Sequence, residues 1–238
     1  MAIATFLAMT AAEMAGNEIF PQHTAWMACH FSSYGTGLTN LPESLPPDSL
    51  LILNDRTPIR GHAPQCIAEQ LRRCLDNLKC QGLLLDFQQP GSEECTALAR
   101  YLCESLPCPV AVSEGYAADL NCAVFLPPAP PSEPLAEHLA PWKGRAVWLE
   151  LALDAQYISL TEQGASIFPL SHPDLTRQGF ADESLHCHYH IRLEEDAAEF
   201  TLWRTREDLA HLIKEAETLG VTAAVGLYQE LSFAQNVL

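Results

Sequence analysis

The residues of this chain that could do chemistry stand at the ends of short apolar runs. Asp55 follows the run 49–54, Asp86 and Gln88 close the run 82–87, Glu114 and Tyr116 follow 108–113, and Tyr228 and Glu230 end and follow 223–228. His30 stands near the end of an earlier run, 24–31. Polar groups at the end of an apolar strand need water or a ligand as partner. A single one can simply cap a neighbouring helix, whereas several at one end of a sheet mark a site. Carboxylates there can accept hydrogen bonds from a ligand or act as general acid and base. A tyrosine ring offers a flat apolar face with a polar tip. A second constellation is His186-Cys-His-Tyr-His190. On a strand its three imidazoles share one face about 7 Å apart, a spacing open to zinc or nickel. The same alternation suits an exposed hairpin with Cys187, Tyr189 and Ile191 turned inward, and the sequence identifies no carboxylate to complete a metal site. No metal is therefore expected. No cofactor is expected either, because a phosphate-binding glycine loop, a dinucleotide fingerprint, a G-x-S-x-G elbow and a Cys-x-x-Cys pair are all missing from the sequence.

The elements that would position these residues alternate along the chain. Apolar positions Ile67, Leu71, Leu75 and Leu78 recur at three- and four-residue intervals between 64 and 79, which predicts an amphipathic helix. Strands are predicted at 24–31, 49–54, 82–87, 108–113, 123–126 and 223–228, with helices at 92–106 and 206–219, the last closed by Gly220. This rhythm argues for a parallel sheet. Between 147 and 204 it changes to antiparallel alternation in the runs 148–153, 157–160, 188–193 and 200–203. The expected architecture is α/β: a single TIM-like (β/α)8 barrel spanning 1–238, complete or short of strands, with an antiparallel hairpin insertion at 147–204 before the last helix and strand. An open doubly wound sheet is the alternative. The apolar opening stretch 1–15 has no basic residue to make it a signal peptide. It reads either as native structure or as a helix cut off from something upstream.

The most specific stretch is Gln81-Gly-Leu-Leu-Leu-Asp-Phe-Gln-Gln-Pro90. It resembles the active-site strand of the chitinase-like glycoside hydrolases of family 18, whose pattern D-G-x-D-x-D-x-E is commonly followed by an aromatic residue and proline. Gly82, Asp86 and Pro90 are kept, and period-two geometry puts Leu84, Asp86 and Gln88 on one strand face. The resemblance implies a β/α barrel with a carbohydrate site at its strand C-termini. In the family the terminal Glu protonates the glycosidic oxygen while the substrate's own acetamido group attacks, oriented by the middle Asp. Here those positions hold Gln88 and Leu84, and the first Asp is Gln81. An amide can hydrogen-bond a sugar oxygen but has no proton to give at a useful pKa. The family's chemistry is thus expected to be impaired, with carbohydrate binding retained through Asp86 and Gln88, aided by Asp55, Tyr116 and Tyr228.

Two other readings remain open at this point: an active hydrolase that pairs Asp86 with Glu114 or Glu230, or a protein-interaction module built on the hairpins. The charge of −17, from 13 Lys+Arg against 30 Asp+Glu, repels phosphate backbones and anionic lipid surfaces, so neither nucleic acid nor membrane is an expected partner. Nine cysteines, an odd number without a short repeated spacing, point to reduced thiols and a cytoplasmic setting.

Overall fold

The computed structural model describes residues 3–17, 21, 23–34, 37–61, 63–171 and 179–232. The chain begins with strand β1 (Ala4–Met9) and helix α1 (Ala11–Gly16), followed by β2 (Thr24–Phe31) and the two-residue β3 (Leu38–Thr39). Next come β4 (Leu50–Asn54), α2 (Pro64–Leu78), β5 (Gly82–Asp86), α3 (Glu93–Ser105), β6 (Val110–Ser113), α4 (Glu114–Ala117), β7 (Ala123–Leu126), α5 (Leu135–Leu139) and β8 (Val147–Leu151). Five further strands, β9 (Ala155–Thr161), β10 (Gly164–Pro169), β11 (Phe180–Asp182), β12 (Cys187–Leu193) and β13 (Ala197–Trp203), precede α6 (Arg206–Thr218), β14 (Ala223–Leu227) and α7 (Tyr228–Leu231).

Eight parallel strands close into a ring in chain order: β1, β2, β4, β5, β6, β7, β8 and β14, with β14 pairing back onto β1. This is the TIM-like (β/α)8 barrel and not the doubly wound sheet. β3 hangs antiparallel on the outer part of β2. Alternation along each strand divides the core in two. Phe6, Leu50, Ile52, Leu84, Phe125, Trp148 and Val225 fill the inside of the ring, while Leu51, Leu53, Leu83, Leu85 and Phe87 face outward beneath helices α2 and α3. Gly82 is required by that filling. A Cβ there would lie 3.1 Å from Leu50 Cδ2 and 3.2 Å from the Trp148 ring, so the tryptophan occupies the space a side chain would take.

The opening stretch folds as part of the barrel, as a strand and a short helix and not as one helix. Residues 4–9 form the first barrel strand, with every residue from Thr5 to Met9 buried, as expected of a parallel strand covered on two sides. Thr10 then caps α1 in a capping box with Glu13. The insertion is also smaller than the sequence suggests. Residues 147–151 are the seventh barrel strand, and the antiparallel sheet, ordered β10-β9-β13-β12-β11, occupies residues 155–203. Buried Arg204 fastens that sheet to the barrel: its guanidinium donates to the carbonyls of Ala129 and Pro130 after β7 and of Leu185 and His186 before β12.

Candidate active site at the barrel mouth

The C-terminal end of the ring holds a cavity of about 400 Å³ with Asn54, Asp86, Gln88 and Glu150 among its polar lining and Leu84 and Phe125 at its base. A second hollow of about 320 Å³ shares Gln88, Gln89, Phe125 and Glu150 and extends toward Glu114. Leu84 belongs to the interior cluster, and Asp86 and Gln88 continue the same face above it, so the geometry inferred from period two holds.

The end of β5 is held from both neighbours. The Ser113 hydroxyl donates to Leu85 O at 3.1 Å and accepts from Phe87 N at 3.0 Å. Asp55 takes the backbone N–H groups of Gln88 and Gln89 on its two carboxylate oxygens, at 2.9 and 2.8 Å. Asp55 is 3 % exposed, and although it touches the cavity its charge is committed to the loop that carries Gln88. Tyr116 likewise serves the framework. It is buried, meets Phe87 edge-on and donates its hydroxyl to Gln89 O. Tyr228 begins α7 and its hydroxyl donates to Asn17 Oδ1 at 3.1 Å. Glu114 is exposed at the start of α4, and Glu230 accepts the Leu153 N–H at 2.9 Å. His30 bonds Asn40 and the Phe31 carbonyl beside β3.

The Gln88 amide donates to Asp86 Oδ1. Its own carbonyl oxygen and the second Asp86 oxygen remain as acceptors toward the cavity. Burial pushes the Asp86 carboxyl above its ordinary range and nearby Asp55 adds to this, while the Gln88 amide opposes it. Glu150, absent from the sequence-based candidates, is the most perturbed carboxyl here. Burial, then Asp86, Asp154 and Glu230, push it up to about 7, so near neutral pH it is about half protonated and can both donate and accept. On sequence its strand counts among the hairpins, and no residue of it is singled out. The signal that would have found it is the alternation Trp148, Glu150 on the inner face of a barrel strand.

The three histidines do not come together. His186 has a left-handed backbone (φ 47°), precedes β12 and pairs with Glu215 at 2.8 Å, while His188 stacks on Trp203 and bonds Asp208 at 2.9 Å. Among the described residues no group of three His, Cys, Asp or Glu side chains is arranged to hold a metal ion.

A closed barrel, an antiparallel insertion after the seventh strand, and a polar site built on the fourth define a chitinase-like glycoside hydrolase fold. Solved structures of low identity share it. The chitinase-like agglutinin of Robinia pseudoacacia matches with a TM-score of 0.62 and 11 % identity, over 98 % of this chain and 97 % of that one. A family 18 N-acetylglucosaminidase from Paenibacillus barengoltzii matches with a TM-score of 0.60 and 11 % identity, over 99 % and 100 %. A family 18 chitinase variant from Cycas revoluta, in complex with (GlcNAc)4, matches with a TM-score of 0.56 and 11 % identity, over 94 % of each chain. No protein-family model and no curated protein matches the sequence.

Proposed function

We propose that this chain is a carbohydrate-binding barrel that holds a glycan at its strand C-termini and does not cleave it by the substrate-assisted route. The observation that carries the reading is the Gln88–Asp86 pair: an amide stands where the resembling family has its proton donor, and it is hydrogen-bonded to the one acidic residue kept from the pattern. Among the fold's neighbours, one is an agglutinin and another was solved with an oligosaccharide, which supports binding as a use of this architecture. Calorimetric titration with chito-oligosaccharides and a glycan array, run on wild type and Asp86→Ala, test it. Binding by wild type that falls at least tenfold in the variant is expected, as for loss of a charge-assisted hydrogen bond worth about 1.5–3 kcal/mol. No binding to any glycan by folded wild-type protein removes the reading.

Glu150 gives a second reading, an active hydrolase, a specific basis. A carboxyl that is half protonated near neutrality, sharing the mouth with Asp86, suits a general acid better than exposed Glu114 or Glu230, whose carboxylate is held by Leu153 N–H. Turnover of aryl glycosides by wild type, lost in Glu150→Gln, would decide for it. The insertion exposes Ile167, Phe168, Phe180 and Leu193, but the open mouth weighs against a purely protein-binding role. Nine unpaired cysteines support a reducing, cytoplasmic setting, and among the described residues no helix is long and apolar enough to cross a membrane.

A further inference from the structure

At the N-terminal end of the ring, opposite the mouth, lies a cavity of about 480 Å³ lined by Cys103, Cys108 and Cys122 beside Phe6 and Trp148. Cys103 is in the last turn of α3 and Cys122 stands directly before β7, so helix and strand packing bring together two residues distant along the chain. Both side chains line the same cavity wall and interact electrostatically. Arg145 closes one side of the pair. Its guanidinium donates to the carbonyls of Ala117 at 2.9 Å, Leu120 at 2.6 Å and Cys122 at 3.1 Å, and these bonds hold the cation 4.0 Å from Cys122 Sγ. Both residues are partly exposed, in contrast with buried Cys29, Cys95 and Cys187.

A fixed cation favours the ionised form of a thiol, and the ionised form is the nucleophile. The Cys122 thiol is drawn below its ordinary range by neighbouring Cys103 and by the Arg145 guanidinium beside it. Cys122, beside the cation, is thus the sulfur prepared to attack, with Cys103 in the same cavity wall. The remaining partly buried thiols have no such arrangement; burial alone raises Cys74, and burial with neighbouring thiols takes Cys80 up to about 12.

We propose that Cys122 and Cys103 form a redox modification site that reacts with small hydroperoxides entering the lower cavity. The Cys122 sulfur attacks the terminal oxygen of the hydroperoxide and the O–O bond breaks. The departing alkoxide takes up a proton to leave as the alcohol, or as water when the oxidant is hydrogen peroxide. Cys122 is then a sulfenic acid. The Cys103 sulfur attacks the Cys122 sulfur, the S–O bond breaks, and the hydroxide leaves as water with the Cys103 proton. The two thiols lose two electrons and two protons to give one disulfide, and the hydroperoxide is reduced. The bond would tie the end of α3 to the strand that carries Phe125 at the mouth's base.

The test uses the full chain, fully reduced and then titrated with hydrogen peroxide, with remaining thiols alkylated before peptide mapping by mass spectrometry. The expected first product is a species lighter by two hydrogens in which Cys103 and Cys122 are linked, formed before exposed Cys66 is modified. Cys103→Ser should stop the reaction at the Cys122 sulfenic acid, captured by dimedone, and Cys122→Ser should leave Cys103 reduced. Oxidation of Cys66 ahead of the pair, a disulfide joining any other cysteines, or no linkage at peroxide levels that oxidise Cys66 overturns the proposal. If either variant fails to fold, the order of modification in wild type decides alone.

Discussion

Asp55 and Gln88, on neighbouring strand ends, are joined through the backbone: an Asp55 carboxylate oxygen accepts the Gln88 N–H at 2.9 Å, and its second oxygen accepts the Gln89 N–H at 2.8 Å. Gln89 answers by donating its side-chain amide to Asp55 O at 2.7 Å. Asp55→Ala therefore strands two N–H groups and is expected to cost about 2–4 kcal/mol, with loss of glycan binding because the loop bearing Gln88 is released. Asp55→Asn keeps one acceptor and should cost less. Urea denaturation and calorimetric titration of both variants check this.

Glu150 makes stability depend on pH in a definite direction. Its carboxyl sits near 4.5 when unfolded and is pushed up to about 7 in the folded chain, so the folded state holds more protons across that window. Stability then falls as pH rises from about 4.5 to 7, and the raised carboxyls of Asp86 and Asp154 add to the same trend. Glu150→Gln should flatten the profile and gain on the order of 2 kcal/mol at pH 8 relative to wild type, after allowance for water at the open mouth. Thermal melts from pH 4 to 8 (roughly the titration range of these groups) would show it, and a profile unchanged by the substitution would count against the assignment.

Restoring the acid at one position should not restore the chemistry. Gln88→Glu removes the amide donated to Asp86 and sets a further carboxylate beside it. Lower stability above neutral pH by about 1–3 kcal/mol is expected, recovered as pH falls. Chitin oligomers should remain uncleaved, because Leu84 offers no carboxyl to orient an acetamido group. Melting curves at acid and alkaline pH, alongside product analysis by chromatography, test both halves.

Arg204 is 3 % exposed and serves carbonyls from two segments at once. Arg204→Ala leaves those carbonyls without a donor and should cost about 3–5 kcal/mol. Hydrogen exchange should rise first in 185–204, where the insertion meets the barrel, ahead of β4 and β5.

Much of the barrel could be read in the sequence because its strands are buried on both faces and bounded by turn residues. β4, β5 and β6 fall within the predicted runs, and α2 ends one residue early because Lys79 takes a left-handed cap (φ 54°). The inward direction of Asp86 and Gln88 followed from strand period alone. What could not be read depended on contacts distant in sequence. β1 has an apolar run like any buried segment, and only its pairing with β14 makes it a barrel strand. Asp55 looks like a ligand-binding carboxylate until the Gln88 and Gln89 amides are seen on it. Glu150 was hidden by a boundary, since a strand preceding hairpins is easily taken as one of them.

The ring is sealed by β1 against β14, with Ala4 opposite Ala223. That seam joins strands far apart in sequence, so this domain carries a loop-closure penalty and belongs among slow, high-contact-order folders. During synthesis β1 waits with one unsatisfied edge until β14 has emerged, and an unpaired edge is an invitation to aggregation. Deleting residues 4–9 would leave both β2 and β14 in that condition, turning a cylinder into an open sheet with two adhesive margins.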